Sequence, residues 1–138
     1  MSLYLDASLL VAIFIEDALS ADADALLASN TRALLVSDFA AAEFASALAR
    51  LVRMGELSAE AAHAAFANFD AWTARLGPRL RTEASDVIDA EGFLRRLDLN
   101  LRTADALNIA IVRRHGLTLA TFDHRMAAVA TTLGLATV

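Results

Sequence analysis

Short apolar runs alternate along the chain with longer stretches in which apolar residues recur every three or four positions. The short runs predict strands at residues 3–5, 33–36, 117–121 and 135–138. The longer stretches are typical of helices, and they predict helices at 9–15, 18–29, 38–54, 59–76, from 82 or 85 to 97, 104–115 and 126–133. Because strands alternate with helices, we expect an α/β fold with a parallel β-sheet covered on both faces.

The stretch from Arg102 to Gly116 carries the most informative of these helices. Its apolar residues have the spacing of a buried face, Thr103 stands at the N-cap position, and Gly116 stands where the helix should end. Asp105 then lies in the first turn, where free N–H groups and the helix dipole favour a carboxylate. Helix capping alone explains Asp105, so a functional role depends on its neighbours in space.

Three further acidic residues stand where predicted strands end or helices begin. Asp6 follows the first strand, Asp123 follows the third, and Glu43 lies in the first turns of the helix after the second. Since ligands bind at the carboxyl ends of parallel strands, we expect all four acids to converge on one crevice. The alternative is that Asp6 or Ser8 only caps the next helix and Glu43 is a surface residue.

A crevice with four carboxylates predicts bound cations. The negative charges repel one another, and such a cluster persists only if it is partly protonated or if cations compensate it. Hard oxygen ligands suit Mg²⁺ or Mn²⁺. Two such ions about 3.5–4 Å apart activate a water molecule and stabilise the leaving oxygen in phosphodiester hydrolysis, with no protein nucleophile.

The fourth and fifth predicted helices carry most of the remaining large apolar side chains. On the fourth helix we expect the aromatic residues in the core or at a subunit contact, namely Phe66, Phe69 and Trp72. On the fifth helix the periodicity predicts three inward-facing residues, Val87, Leu94 and Leu97.

Composition narrows the functional classes. The 138 residues and 57% hydrophobic content fit one domain spanning residues 1–138. The absence of cysteine excludes disulfides, thiolate chemistry and zinc–cysteine sites. With no basic leader and no apolar run of about 18 residues, we expect a cytoplasmic protein without a membrane segment. The net charge of −5 argues against binding nucleic acid by bulk electrostatics.

Four motifs together resemble a known family. They are YLDAS with Asp6, SDFAAAEFASAL with Glu43, LRTADALNIA with Asp105 and LATFDHRM with Asp123. In this order, and over essentially the whole chain, they resemble the PIN domain and more narrowly the VapC-type toxins of bacterial toxin–antitoxin pairs. The resemblance implies a parallel sheet sandwiched by helices and a Mg²⁺-dependent endoribonuclease whose four acids are catalytic and ligate the metal.

The resemblance also implies supporting residues and partners. The hydroxyls of Ser8 and Thr121 accompany the first and last acids, and Asn108 stands where many relatives carry His. The implied partners are RNA, a small VapB-like antitoxin that places an Arg in the crevice, and a second copy in a homodimer. The candidates for binding RNA are all arginines: Arg50 and Arg102 first, with Arg53, Arg95 and Arg96. The alternative for each Arg is an ordinary solvated surface.

Other protein classes fit less well. A phosphoacceptor receiver domain needs a Lys near its last strand, and this chain has no Lys. A haloacid-dehalogenase-like phosphatase needs a second Asp two residues after Asp6, where Ser8 stands. The remaining alternative is a non-catalytic PIN-like module that binds RNA or protein, which an RNA cleavage assay distinguishes from a nuclease.

Overall fold

Three short strands and seven helices make up the computed structural model, which describes residues 1–138. The strands are β1 (Leu3–Leu5), β2 (Leu34–Leu35) and β3 (Thr118–Ala120). The helices are α1 (Ala7–Phe14), α2 (Ser20–Ser29), α3 (Asp38–Arg53), α4 (Ala59–Leu76), α5 (Ala84–Arg95), α6 (Thr103–His115) and α7 (His124–Thr132). The alternation of strands and helices confirms the predicted fold class.

The sheet is parallel and has the order β2-β1-β3, so that β1 is the central strand. Leu3 lies opposite Leu34 on one side and Thr118 on the other. Successive side chains of a strand point to opposite faces, and every residue of β1 and β3 is buried. Helices therefore cover both faces of the sheet, as the sequence predicts.

Three of the four predicted strands are shorter than expected, and β3 lacks one predicted residue at each end. Backbone pairing of β2 is confined to two residues, because Ser37 already turns into the start of α3 and Leu80 takes over the pairing beside it. The predicted C-terminal strand at 135–138 is reduced to one isolated bridge, between Thr137 and Leu119.

Serine side chains begin two of the long helices, as predicted. Oγ of Ser37 accepts from the Ala40 N–H at 2.9 Å, and Oγ of Ser58 accepts from the Ala61 N–H at 3.1 Å. Each hydrogen bond satisfies one free donor of a helix start.

The predicted starts of α5 and α6 are wrong by one or two residues. Arg102 is the N-cap of α6, so Thr103 is its first helical residue. Neither Thr82 nor Ser85 caps α5, because Glu83 occupies the N-cap and the Thr82 hydroxyl donates to Asp38 instead. A contact across 44 residues of sequence thus overrides the local capping signal.

The predicted inward face of α5 is also partly wrong. Val87 is 56% exposed and Leu97 is 90% exposed, whereas Leu94 is half-buried. Leu97 lies beyond the end of α5 and has a φ of 65°, so the helical period does not apply to it. The buried residues of α5 are Asp86, Ala90 and Phe93.

Aromatic side chains fill the space between α1, α3 and α4. The ring centres of Phe44 and Phe69 are 4.7 Å apart, and those of Phe14 and Trp72 are 5.5 Å apart. These distances are typical of packed aromatic pairs. The aromatic residues of α4 therefore belong to the core.

None of the seven helices combines the length and the hydropathy that a membrane-spanning helix needs.

A buried ion pair ties α5 to α6. The Asp86 side chain is fully buried and accepts from Nε and Nη2 of Arg114 at 2.7 and 2.9 Å. Asp86 also accepts from the Glu83 N–H at 2.8 Å, and Arg114 donates to the Arg81 carbonyl at 2.8 Å. This network explains why α5 turns Asp86, rather than Val87, towards α6.

Replacing Arg114 with Met would keep aliphatic packing but leave the buried Asp86 carboxylate without its cation. We expect Arg114→Met to lower the free energy of unfolding at neutral pH by about 1–3 kcal/mol, the cost of a buried acceptor that has lost its partner. Urea denaturation followed by circular dichroism measures the change. Arg95→Met is the matched control, because Arg95 pairs with Glu91 on the surface of α5, and it should cost no more than about 0.5 kcal/mol.

The cost of Arg114→Met should also depend on pH. Burial alone would raise the pKa of Asp86, but hydrogen bonds from Arg114 and the Glu83 N–H outweigh it, and the pKa lies below its ordinary value. The resulting stability is present above the pKa of an unfolded Asp and is lost as the pH falls through the folded-state pKa. The difference in the free energy of unfolding between wild type and Arg114→Met should therefore become smaller below about pH 4. A difference that stays constant in acid would contradict this account of the pair.

Candidate active site

One cleft at the carboxyl edge of the sheet is lined by all four acids that the sequence singles out. It has a volume of about 730 Å³. Its acidic lining residues are Asp6, Glu43, Asp105 and Asp123. They come from the end of β1, from α3, from the first turn of α6 and from the start of α7. The parallel arrangement of the strands brings these distant segments to the same edge.

Asp6 is held in a fixed orientation by two hydroxyl groups. Ser8 donates to Oδ1 and Thr121 donates to Oδ2, both at 2.6 Å, and the Leu9 N–H donates to Oδ1 at 3.1 Å. Asp6 is 4% exposed, and burial raises its pKa despite these hydrogen bonds. Asp6 is also the N-cap of α1, so the capping that the sequence suggests is present. Capping and a position in the cleft do not exclude each other.

Asp123 is the N-cap of α7 and faces the same cleft. Its Oδ1 accepts from the N–H groups of Arg125 and Met126 at 3.0 and 3.1 Å. The Asp123 N–H donates to the Thr121 hydroxyl at 2.9 Å. Thr121 therefore connects the backbone of Asp123 to the carboxylate of Asp6, which couples the positions of the two acids.

Glu43 is half-buried, and the pKa of its carboxyl group lies well above the ordinary value. Burial, together with the negative charges of Asp6 and Asp105, raises its pKa to about 7, against the hydrogen bond that Asn108 donates. At neutral pH Glu43 is thus present in both protonation states. A carboxyl group with this property is suited to accept or return a proton.

Asp105 lies beside two arginines. It is 8% exposed and accepts from the Arg102 N–H at 3.2 Å. Its Oδ2 is 3.5 Å from Nη2 of Arg125 and 3.8 Å from Nε of Arg102. These guanidinium groups offset part of the negative charge of the cleft.

The predicted RNA-binding arginines separate into two groups. Arg50 and Arg102 line the cleft. The other three do not line it: Arg53, Arg95 and Arg96. Arg95 pairs with Glu91 and Arg96 pairs with Asp98 at the surface.

The donor chemistry of the cleft fits a divalent cation. Four carboxylates line it, and they provide the hard oxygen atoms that Mg²⁺ and Mn²⁺ prefer. In the observed side-chain positions, no three acidic or histidine side chains are grouped so that they could hold a metal ion together. The raised pKa values of Asp6 and Glu43 show that their ionised forms are disfavoured in the protein alone. A cation would stabilise these ionised forms.

Three residues near the acids have contacts that sequence reasoning did not assign. Tyr4 and Asn108 form a buried hydrogen bond at 2.6 Å, Asn108 donates to Glu43 at 2.6 Å, and Arg125 faces Asp105. Two signals were present in the sequence. Asn108 is a polar residue in an apolar run, and its position three residues after Asp105 places it on the same helix face as Asp105. Tyr4 lies two residues before Asp6, so the two side chains point to the same face of the sheet.

Fold and cleft together define an α/β protein with an acidic site at the edge of a parallel sheet. A family model for the PIN domain matches residues 3–131. The chain belongs to the PIN domain family. No curated protein matches the sequence.

Solved structures with the same fold include three proteins from bacteria named as follows. VapC20 of Mycobacterium tuberculosis, a sarcin–ricin loop cleaving toxin, is 25% identical over 93% of this chain and 95% of that chain, with a TM-score of 0.71. FitAcB of Neisseria gonorrhoeae is 18% identical over 98% and 95%, with a TM-score of 0.74. VapBC2 of Rickettsia felis, bound to a DNA fragment from its promoter, is 15% identical over 100% and 98%, with a TM-score of 0.69.

The raised pKa of Glu43 predicts a pH-dependent stability of the protein in chelator. Because the pKa is about 7 in the folded protein and 4.5 ordinarily, the unfolded chain releases this proton first as the pH rises. Stability from Glu43 is present at low pH and is lost between these two values. Glu43→Gln keeps an acceptor for Asn108 and cannot ionise, so we expect its Tm to exceed that of wild type more at about pH 8 than at about pH 5.

Thermal melts at both pH values check this prediction. Glu56→Gln is the matched control, since Glu56 is exposed in the turn after α3, and its Tm should follow wild type. Identical pH dependence in wild type and Glu43→Gln would show that Glu43 titrates normally.

Proposed function

We propose that this PIN domain is a Mg²⁺-dependent endoribonuclease and the toxin of a type II toxin–antitoxin pair. The observation that carries the proposal is the convergence of four carboxylates from separate segments on one cleft. The likeness to VapC20, whose own activity is cleavage of the sarcin–ricin loop, supports a ribonuclease toxin. The RNA that this chain cuts is left to experiment.

In this proposal Asp6 and Asp105 would be the tightest metal ligands. Asp123 would complete a second, weaker site for an ion that binds together with the RNA, and Glu43 would ligate a metal or orient water. A divalent ion in this position supplies activation of water for attack on phosphorus and stabilises charge on the leaving oxygen.

The remaining chemistry comes from the chain's own side chains. Glu43, whose ionised form a bound cation would stabilise, would orient the attacking water where it does not ligate the metal. Arg50 and Arg102, at the cleft, bind RNA phosphates by charge-assisted hydrogen bonds. Ser8 and Thr121 keep both oxygens of Asp6 in place. Phosphodiester hydrolysis then proceeds without a protein nucleophile.

The test of this function is cleavage of total bacterial RNA, with mapping of the new ends. Asp6→Asn and Asp105→Asn each remove a negative charge that a hard cation needs, and we expect both to reduce cleavage to background while the circular dichroism spectrum stays native. Asp22→Asn is the matched control, because Asp22 is exposed on α2. Cleavage should require Mg²⁺ or Mn²⁺ and be weak in Ca²⁺, which accepts looser coordination.

The same assay also has outcomes that would contradict the proposal. Wild-type rates in either Asp variant, or full cleavage in chelator, would contradict the shared metal site. No cleavage by wild type in Mg²⁺ or Mn²⁺ would favour the non-catalytic PIN-like module.

We further propose a small VapB-like antitoxin as partner. The FitAcB and VapBC2 structures of the same fold support this partner, and a guanidinium from the antitoxin would offer a planar fork to paired carboxylates such as Asp6 and Asp105. A groove of about 490 Å³ between α3 and α4 has Ala42, Ala45 and the partly exposed Phe66 in its lining, and it provides an apolar surface for a partner helix. A homodimer belongs to the same proposal.

Co-expression with the product of the adjacent small gene tests the partner. We expect a stable complex on size-exclusion chromatography that does not cut RNA until the partner is removed. Free, active protein in that mixture would contradict the partner. Light scattering of the isolated chain gives the oligomeric state, for which a dimer mass is expected.

A further inference from the structure

A buried hydrogen-bond chain leads from the protein core to the carboxylate of Glu43. Ser37 and Tyr4 are 0% exposed, and Asn108 is 2% exposed. Oγ of Ser37 lies 2.7 Å from Oη of Tyr4, which donates to Oδ1 of Asn108 at 2.6 Å. Nδ2 of Asn108 then donates to Oε1 of Glu43 at 2.6 Å. This series of hydrogen bonds thus connects β1, the start of α3 and the middle of α6 to Oε1 of Glu43 in the cleft.

The direction of each hydrogen bond follows from which atoms carry protons. Oδ1 of Asn108 can only accept, so the single Tyr4 proton goes to Asn108, and Ser37 donates to Tyr4. Burial raises the pKa of Tyr4 far above its ordinary range, so the phenol keeps this proton. A flipped Asn108 amide would point its oxygen at Glu43 and at the Ala104 carbonyl, which now accepts from Nδ2 at 3.1 Å. Only the observed orientation satisfies every group.

The two oxygens of Glu43 are therefore not equivalent. Oε1 accepts from Asn108, whereas no protein group donates to Oε2. The only buried side-chain nitrogen or oxygen without a partner is Nε of Arg125. Oε2 must accordingly be in contact with the solvent of the cleft that Glu43 lines.

We infer that Asn108, itself held by Tyr4, is a positioning residue that ties Oε1 of Glu43 and presents Oε2 as the one atom for the reacting water or a metal ion. This inference rests on the proposed ribonuclease function and adds the residues that orient its Glu. Orientation matters to rate, because a misplacement of about 1 Å can cost about 100-fold.

Steady-state cleavage of a labelled RNA oligonucleotide that carries a mapped site tests the role of both residues. Tyr4→Phe removes one hydroxyl that does not line the cleft. We expect it to lower kcat about ten-fold and Asn108→Ala about 100-fold, with little change in KM. The double variant should be no slower than Asn108→Ala, because Tyr4 acts through Asn108.

Thr118→Val is the matched control for these variants. It removes a buried hydroxyl from β3 whose partner is Sδ of Met1, and it should cut RNA at the wild-type rate. Independent, multiplying losses in the double variant, or an unchanged kcat in Asn108→Ala, would overturn the inference.

A second measurement needs neither RNA nor metal. The chain contains four asparagines and no glutamine, so the ¹⁵N spectrum has four side-chain amide pairs, and Asn108→Ala identifies the pair of Asn108. We expect Glu43→Ala to shift this pair and speed its exchange with water, because it removes a charged acceptor. Glu56→Ala should leave the pair unmoved.

The two measurements separate the inference from the proposed function. If wild type does not cut RNA, the proposed function fails, while the amide shift still reports the tie between Asn108 and Glu43. If the Asn108 pair does not respond to Glu43→Ala, the tie is absent, even in an active ribonuclease.

Discussion

The parallel pairing of β1 between β2 and β3 is the constraint on which the rest of the structure depends. All three residues of β1 are buried, so packing on both faces of the sheet fixes β1 between its two neighbours. Parallel strands also end at the same edge of the sheet. The residues that follow them, Asp6 after β1 and Thr121 after β3, therefore meet and form a hydrogen bond of 2.6 Å. The acidic cleft is a direct consequence of this topology.

The same topology brings negative charges together, and the molecule offsets them in three ways. Hydroxyl groups donate to Asp6, guanidinium groups lie near Asp105, and the raised pKa of Glu43, about 7, favours its neutral form. Stability comes from elsewhere, chiefly from the apolar core. A site that opposes folding inside a framework that favours it is the usual arrangement in functional proteins.

Sequence reasoning succeeded where the information is local or periodic. The order of strands and helices, the Ser37 and Ser58 caps and the position of acids at strand ends all follow from short-range patterns. It failed where distant contacts decide. Thr82 binds Asp38 rather than capping α5, and the partner of Glu43 is Asn108, 65 residues away. Leu97 is exposed because α5 ends before it, a boundary that hydrophobic period alone does not mark.

The central claim is that the four acids form a divalent-metal site, and a crystal structure with Mn²⁺ tests it most directly. Anomalous scattering locates Mn²⁺ independently of the protein atoms. The account predicts one well-occupied ion in the cleft of the RNA-free protein, ligated by Asp6 and Asp105 among other oxygen ligands. A cleft that stays free of manganese at millimolar concentrations, or manganese bound only by residues elsewhere, would contradict it.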